Sequence, residues 1–371
     1  GIRQSIFPSR LPGQREPRRS DSVSRRSILD PSAGTLSLAM PKPSDTSTTL
    51  IVGAGAVGLA LGTCLHAAGR SIHFVLREDP AAQSMPHPIE KFGLRRTGLL
   101  GDYHVPPGVA GISRSLAELP DLEIDSILVC TKSTANPSIV RGLVGAWGKF
   151  RHSPQLVICQ NGWGNAEAFA RALDPQRVAN ASILTGFRRR EGHRVDVTVH
   201  ARAIQIGSLY SPETETLAPL CAAISRGGIP CEPSATIGAD LAAKLLYNCL
   251  LNPLGALARV PYGRLGDSAS TRAILEATAR EIFEVLDAAD VQTHWPDAES
   301  YLATFYGELL PPTADHESSM LQDLQAGRAT EIDALCGAVV RLGQKFGVAT
   351  PVNGALRDLI HAAEGRGGEA G

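Results

Sequence analysis

TTLIVGAGAVGLALGTCLHAAGRSIHFVLRED, residues 48–79, decides the fold. The β-rich run at 48–52 ends in glycines, the apolar stretch to about residue 68 has helical length, Gly69 stops it, and a second β-branched and aromatic run ends near residue 76. This is a βαβ unit. Gly53, Gly55 and Gly58 form G-x-G-x-x-G directly after the first strand and at the opening of the helix, the context in which that motif signals a dinucleotide site. Gly53 permits the tight turn, Gly55 leaves room for a pyrophosphate, and Gly58 lets helix and strand approach closely. The helix N-terminus then offers amide donors and positive dipole, so Gly53, Ala54, Gly55, Ala56, Val57 and Gly58 are the expected phosphate cradle.

Working outward, the end of the second strand selects the dinucleotide. Arg77 stands where an NAD site usually places an acid, and arginine can hold a 2′-phosphate, so NADP(H) is the preferred cofactor; Glu78 follows and can take the acidic role instead. Further strands at 125–130 and 155–159 alternate with helices at 135–150 and 164–173, which makes an α/β, Rossmann-type, doubly wound domain. Ligands in such sheets bind beyond the carboxyl ends of the strands, where Thr131, Lys132, Gln160, Asn161 and Gly162 fall. Lys132 reads equally well as a surface lysine, and Asn161-Gly162 as a plain turn. The alternating runs RVDVTVH and AIQIGSL within 194–209 read as a closing antiparallel hairpin.

After RGGIPCEPSATIGAD the apolar period changes to about 3.6, and an all-α C-terminal domain is expected, with helices near 239–258, 270–291, 297–308, 315–326 and 331–346, broken by YGRLGD, HWPD, LLPPTAD and AGRA. The expected organisation is a disordered extension at 1–47, the dinucleotide domain at 48–234, the helical domain at 235–362 and a flexible tail at 363–371. The extension is rich in Arg, Ser and Pro; either it is a transit peptide, which would make the protein mitochondrial, or Met40 is the true start and the protein is cytoplasmic, the favoured reading.

Composition excludes other classes. The 371 residues are 43% hydrophobic and 20% charged, and 36 Lys plus Arg nearly cancel 37 Asp plus Glu, so nothing points to nucleic acid. No run approaches the roughly 18 uninterrupted apolar residues of a membrane span. The seven cysteines contain no C-x-x-C pair and sit mostly in apolar runs, as buried thiols do, and no metal site is expected. A homodimer is left open.

The helix expected at 239–258 carries KLLYNCLLNP from residue 244, with Lys244, Asn248 and Asn252 four residues apart among leucines. Each step of four advances by about 400°, so the three polar groups share one stripe. Buried polar groups without partners cost about 1–3 kcal/mol each, which directs the stripe toward a partner or a wet cleft between the domains. Pro253 disfavours the helical conformation at Asn252, so a kink is expected there.

At this point LIVGAGAVG, VCTKS, QNGWGN, KLLYNCLLNPLGAL and SSMLQDLQAGRATEID together resemble the ketopantoate reductase (2-dehydropantoate 2-reductase) family, over residues of about 50 to 361. The resemblance implies NADPH-dependent reduction of 2-dehydropantoate to pantoate on the way to pantothenate and coenzyme A. It implies Lys244 as catalytic acid, Asn248, Asn252 and Ser319 on the substrate, Glu331 and Lys132 at the cofactor, and Asn161 near both. One departure is Tyr262 in PYGRL, where the family has asparagine. An ammonium beside a ketone oxygen can stabilise the charge that hydride transfer leaves there and donate the proton. Local alternatives stand beside these roles: His316 to Ser319 is also an N-cap cluster, and Thr330 to Asp333 resembles a capping box. The rival functions are reduction of another branched 2-oxo acid, such as 2-oxoisovalerate, and noncatalytic NADPH sensing.

Overall fold

The computed structural model describes residues 47–76 and 86–366. Arg77, Glu78, the extension before residue 47 and the last five residues of the expected tail lie outside them.

The N-terminal half runs β1 (Thr48–Val52), α1 (Ala56–Ala67), β2 (Ser71–Val75), α2 (Pro88–Phe92), β3 (Leu94–Gly98), β4 (Tyr103–Val105), β5 (Gly111–Ser113), β6 (Ile124–Val129), α3 (Asn136–Ala146), β7 (Gln155–Ile158), α4 (Asn165–Ala172) and β8 (Val178–Ser182). It continues through β9 (Thr185–Glu191), β10 (Arg194–His200), β11 (Ile204–Gly207), α5 (Ala218–Arg226) and β12 (Cys231–Pro233). The main sheet has the order β12-β11-β8-β7-β6-β1-β2-β5. Its strands from β5 to β8 are parallel, and β11 joins β8 antiparallel. Chain order reverses between β1 and β6, which makes their carboxyl ends the switch point of a doubly wound sheet.

A second sheet, β4-β3-β10-β9, packs on the opposite side of α1. That explains why α1 is apolar nearly all round, with every residue from Gly58 to Leu65 buried. It also corrects the expected hairpin at 194–209. β10 pairs with β9 and β3, whereas β11 pairs with β8 and β12 in the other sheet. Alternation in RVDVTVH reports a half-buried strand; it does not choose the partner, and the turn at Gly192-His193 closes the actual hairpin.

The C-terminal half is helical: α6 (Ile237–Ala258), α7 (Tyr262–Asp267), α8 (Ala269–Ala288), α9 (Ala298–Thr304), α10 (Ser319–Gln325), α11 (Cys336–Phe346) and α12 (Pro351–Arg366). α6 is its axis, packed by α7, α8, α10 and α12, with β8 and β11 of the main sheet against it as well. By length and composition it could cross a bilayer, yet 78% of its most apolar window is buried inside the protein. The helix continues through Pro253, and Asn252 lies within it. α7 occupies YGRLGD, which had read as a break, and α12 was not expected; it carries residues 363–366, which had been assigned to the tail. Leu335, Val339 and Leu342 are buried on one face, as their spacing indicated.

Candidate active site

The glycine turn has the geometry its motif requires. Gly53 adopts φ +104°, and a Cβ there would stand 2.8 Å from Thr131 Cγ2 across the switch point. A Cβ on Gly58 would stand 2.1 Å from the Gly53 carbonyl oxygen, so only glycine permits this contact of helix and turn. Gly55 is the N-cap of α1 and no side chain caps that end, which leaves the amides around Ala54, Ala56 and Val57 for a phosphate. Small residues, an uncapped helix end and a switch point fit a dinucleotide.

From the end of β6, Lys132 reaches the helical half: its ammonium donates to Asp323 Oδ2 at 2.7 Å and to the Ala329 carbonyl at 2.6 Å, while Arg328 donates to Asp323 Oδ1 at 2.9 Å. It is therefore more than a solvated surface lysine. From the end of β7, Asn161 Nδ2 donates to Glu331 Oε2 at 3.0 Å, a second bond across the same crevice. Gly162 adopts φ +98°, with space for a Cβ closed by the Ala334 carbonyl at 2.3 Å, and Trp163 N donates to that carbonyl at 2.9 Å. This contact anchors the Asn161 turn to the helical half. A ligand entering the crevice has to share or replace the Lys132 and Asn161 bonds.

Lys244 is 6% exposed and makes no hydrogen bond or ion pair among the described residues. Burial pulls its pKa down from 10.5 to about 8, against the opposing pull of the Glu331 carboxylate and with a further lowering by Arg202. Burial likewise pushes the Glu331 carboxyl above its ordinary range, offset by the Asn161 bond and by Lys132 and Lys244. The two charged groups stabilise each other across the crevice. Glu331 makes no capping box: Thr330 Oγ1 accepts from Ile332 N, and the Glu331 side chain is spent on Asn161.

The remaining members of the stripe differ in how they are held. Asn248 is half-buried and unbonded among the described residues. Asn252 is 6% exposed, and its Oδ1 accepts from the Tyr262 hydroxyl at 2.5 Å and from Ser318 at 3.4 Å. Its amide NH2 is therefore the free edge. Tyr262, the departure from the family pattern, is a buried prop beneath Asn252. The neighbouring serines divide their labour: Ser318 is the buried N-cap of α10, accepting from Met320 N at 3.1 Å and donating to the Asn252 carbonyl at 2.9 Å, while Ser319 is exposed at the first position of the helix. The capping role belongs to Ser318, which leaves the Ser319 hydroxyl unengaged.

The stripe also extends one turn further back than KLLYN suggested. Asp240 is 3% exposed, and its carboxylate accepts from Arg202 at 3.0 Å and Ser234 at 2.6 Å, with His294 Nε2 at 2.9 Å. The i−4 spacing from Lys244 was the signal for it; Arg202 and His294, distant in sequence, gave none.

Comparison with known proteins decides the family. The model described as "Ketopantoate reductase PanE/ApbA" matches residues 49–210, and "Ketopantoate reductase PanE/ApbA C terminal" matches residues 236–364. The chain belongs to the ketopantoate reductase family. It is accordingly an oxidoreductase. A 2-dehydropantoate 2-reductase from Aquifex aeolicus (strain VF5) is 31% identical over 316 residues, 85% of this chain and 96% of the relative. The crystal structure of a PanE/ApbA family ketopantoate reductase from Ralstonia eutropha JMP134 is 28% identical, with a TM-score of 0.72 over 86% of this chain and 99% of that one. D-mandelate dehydrogenase, solved with NADH and anilino(oxo)acetate, shares the fold at a TM-score of 0.74 and 21% identity, with the same coverage.

Proposed function

We propose that this ketopantoate reductase family member reduces 2-dehydropantoate to pantoate with NADPH, using Lys244 as proton donor. The observation that carries this reading is the buried, unpaired Lys244 ammonium on one stripe with Asn248 and Asn252, facing the Glu331–Asn161 pair. The names of the relatives support the substrate, and the fit of Gly53, Gly55 and Gly58 supports a dinucleotide.

Bound across the glycine turn, a reduced nicotinamide supplies a hydride to the ketone carbon. Lys244 does the complementary work. Its ammonium stabilises the charge gathering on the ketone oxygen and then yields its proton, and burial favours the neutral amine that remains. A pKa of about 8 keeps the group protonated at neutral pH yet close to release. Glu331 opposes premature loss of that proton. Asn252, its oxygen held by Tyr262, presents NH2 donors to the hydroxyl or carboxylate oxygens of the substrate, and Asn248 offers a second amide one turn earlier. Ser319 adds a hydroxyl at the rim. Preference for NADPH rests on Arg77.

The test is a rate panel of 2-dehydropantoate and 2-oxoisovalerate, each with NADPH and NADH. The reading expects the highest kcat/KM with 2-dehydropantoate and NADPH, and no turnover by Lys244→Ala. Equal rates with the two oxo acids would overturn the substrate, and preference for NADH would overturn the role of Arg77.

A further inference from the structure

Glu331 stands in the segment 329–334, which is held from both sides of the crevice. On the dinucleotide side, Lys132 donates to the Ala329 carbonyl at 2.6 Å and Trp163 N to the Ala334 carbonyl at 2.9 Å. On the helical side the hold comes from α12. Glu364, in the last turn of that helix, accepts from Thr330 N with Oε1 at 2.7 Å, and its Oε2 lies 3.0 Å from His361 Nδ1. His361 Nε2 lies 3.1 Å from Asp333 Oδ1. Ionised carboxylates only accept, so the ring that spans these two is an imidazolium donating from both nitrogens. Thr330 immediately precedes Glu331 and Asp333 follows close behind it, so α12 grips the turn on both flanks of the Glu331 side chain.

For α12 itself Glu364 is badly placed. A carboxylate in the last turn meets the negative end of the helix dipole, where a lysine or arginine would be stabilising. Its benefit lies in the turn it holds: Thr330 is 5% exposed, and its amide has no other partner among the described residues. Burial alone would push the Glu364 carboxyl up, but the Thr330 and His361 bonds outweigh it and hold the group below its ordinary range, as a charged acceptor. We propose that Glu364, steadied by His361, is a positioning residue for the reaction, fixing the turn that presents the Glu331 carboxylate to Asn161 and Lys244; this rests on the roles given to Lys244 and Glu331 above. The groups that act on Lys244 are Glu331, Cys159 and Arg202, and those that act on Glu331 are Asn161, Lys132, Lys244 and Asp323. Glu364 is in neither set. It reaches the ammonium only through the placement of Glu331.

The alkaline limb of kcat/KM for the oxo acid reports the Lys244 proton before substrate binds, and it is followed in the full chain with whichever oxo acid turns over fastest. Glu331→Gln and Glu364→Leu should each move the limb down by about half a pH unit or more, and the double variant no further than Glu331→Gln alone, because both act through one carboxylate. Glu364→Gln keeps an oxygen for the Thr330 amide and should stay with wild type. Glu364→Asp keeps the charge but falls one methylene short, so it should move the limb as leucine does, and it decides the question if the leucine variant does not fold. A limb unmoved in Glu364→Leu and Glu364→Asp, shifts that add in the double variant, or a Glu364→Gln limb displaced as far as that of leucine, overturns the positioning role. A limb left in place by Glu331→Gln is a different failure: it refutes the reading of Glu331 itself, and the role of Glu364 falls with it.

Discussion

Replacing Lys244 by methionine should cut turnover by orders of magnitude and make the protein more stable. The fold lowers the lysine pKa from 10.5 to about 8. At about 1.4 kcal/mol per tenfold change in proton affinity, carrying the charge into the folded state costs ~3 kcal/mol at pH 7. Methionine keeps the length of the side chain and removes the charge, so most of that cost is recovered, a rise in the thermal midpoint on the order of 5 °C. Loss of the proton donor lowers kcat by about 10²–10⁴. The sign with pH follows from linkage. The unfolded lysine keeps its proton to about pH 10.5 and the folded one releases it above about 8, so between these values the unfolded chain binds more protons and wild-type stability climbs with pH. The penalty is nearly whole below about pH 8 and shrinks to ~1 kcal/mol by pH 9.5. Thermal melts of both proteins at pH 7 and pH 9.5, with and without NADP+, read the difference directly. A Lys244→Met protein that melts below wild type at pH 7, or a gap between the two that does not narrow at pH 9.5, would refute the claim that this ammonium is buried at a cost.

The charges around Lys244 predict opposite displacements of the alkaline limb of kcat/KM: Glu331→Gln removes a group that raises its pKa and should move the limb below pH 8, whereas Arg202→Met removes one that lowers it and should move the limb above. Coincident limbs in a pH-rate series would sever the link. Tyr262→Phe strips Asn252 Oδ1 of its 2.5 Å donor, at a cost of about 1–3 kcal/mol, so KM for the oxo acid should rise about tenfold while KM for NADPH holds; an unchanged oxo-acid KM counts against the propping role. Gly58→Ala drives a methyl to 2.1 Å from the Gly53 carbonyl, and overpacking of about 1–3 kcal/mol should raise the dinucleotide Kd about tenfold or more in a fluorescence titration. Binding at wild-type strength would mean the turn relaxes freely.

What was legible in the sequence was what short-range periodicity encodes. The βαβ unit around Gly53 is local: its strands, turn and helix lie within thirty or so residues, and Thr48–Val52 forms as read. The Lys244 stripe was equally plain, because helical spacing places side chains without knowledge of their neighbours. The misses are non-local. α7 forms in YGRLGD because Tyr262 N and Gly263 N donate to the His316 and Ala314 carbonyls, more than fifty residues away. α12 begins at Pro351 after Thr350, whose side chain makes no capping bond among the described residues; the Glu281 carboxylate from α8 accepts from Val352 N at 2.7 Å and Asn353 N at 2.9 Å instead. Ser318 and Ser319 are interchangeable by sequence, and only the bond to the Asn252 carbonyl tells the cap from the free hydroxyl.

A purely structural stripe and a catalytic one make different demands on the protein. A structural stripe would find each of its groups bonded, since buried polar atoms nearly always are. On α6 this holds only at the two ends. Asp240 is satisfied by Arg202, Ser234 and His294, and the Asn252 oxygen by Tyr262 and Ser318. Lys244 and Asn248 between them have no hydrogen-bond partner among the described residues. The outer groups fix the rotation of the helix and hold the middle of the stripe toward the crevice, where the charge of Lys244 is offset only through space by Glu331. A helix selected for stability alone would have apolar residues at these two positions, so the unsatisfied middle supports the proposed role of Lys244 and Asn248 toward substrate.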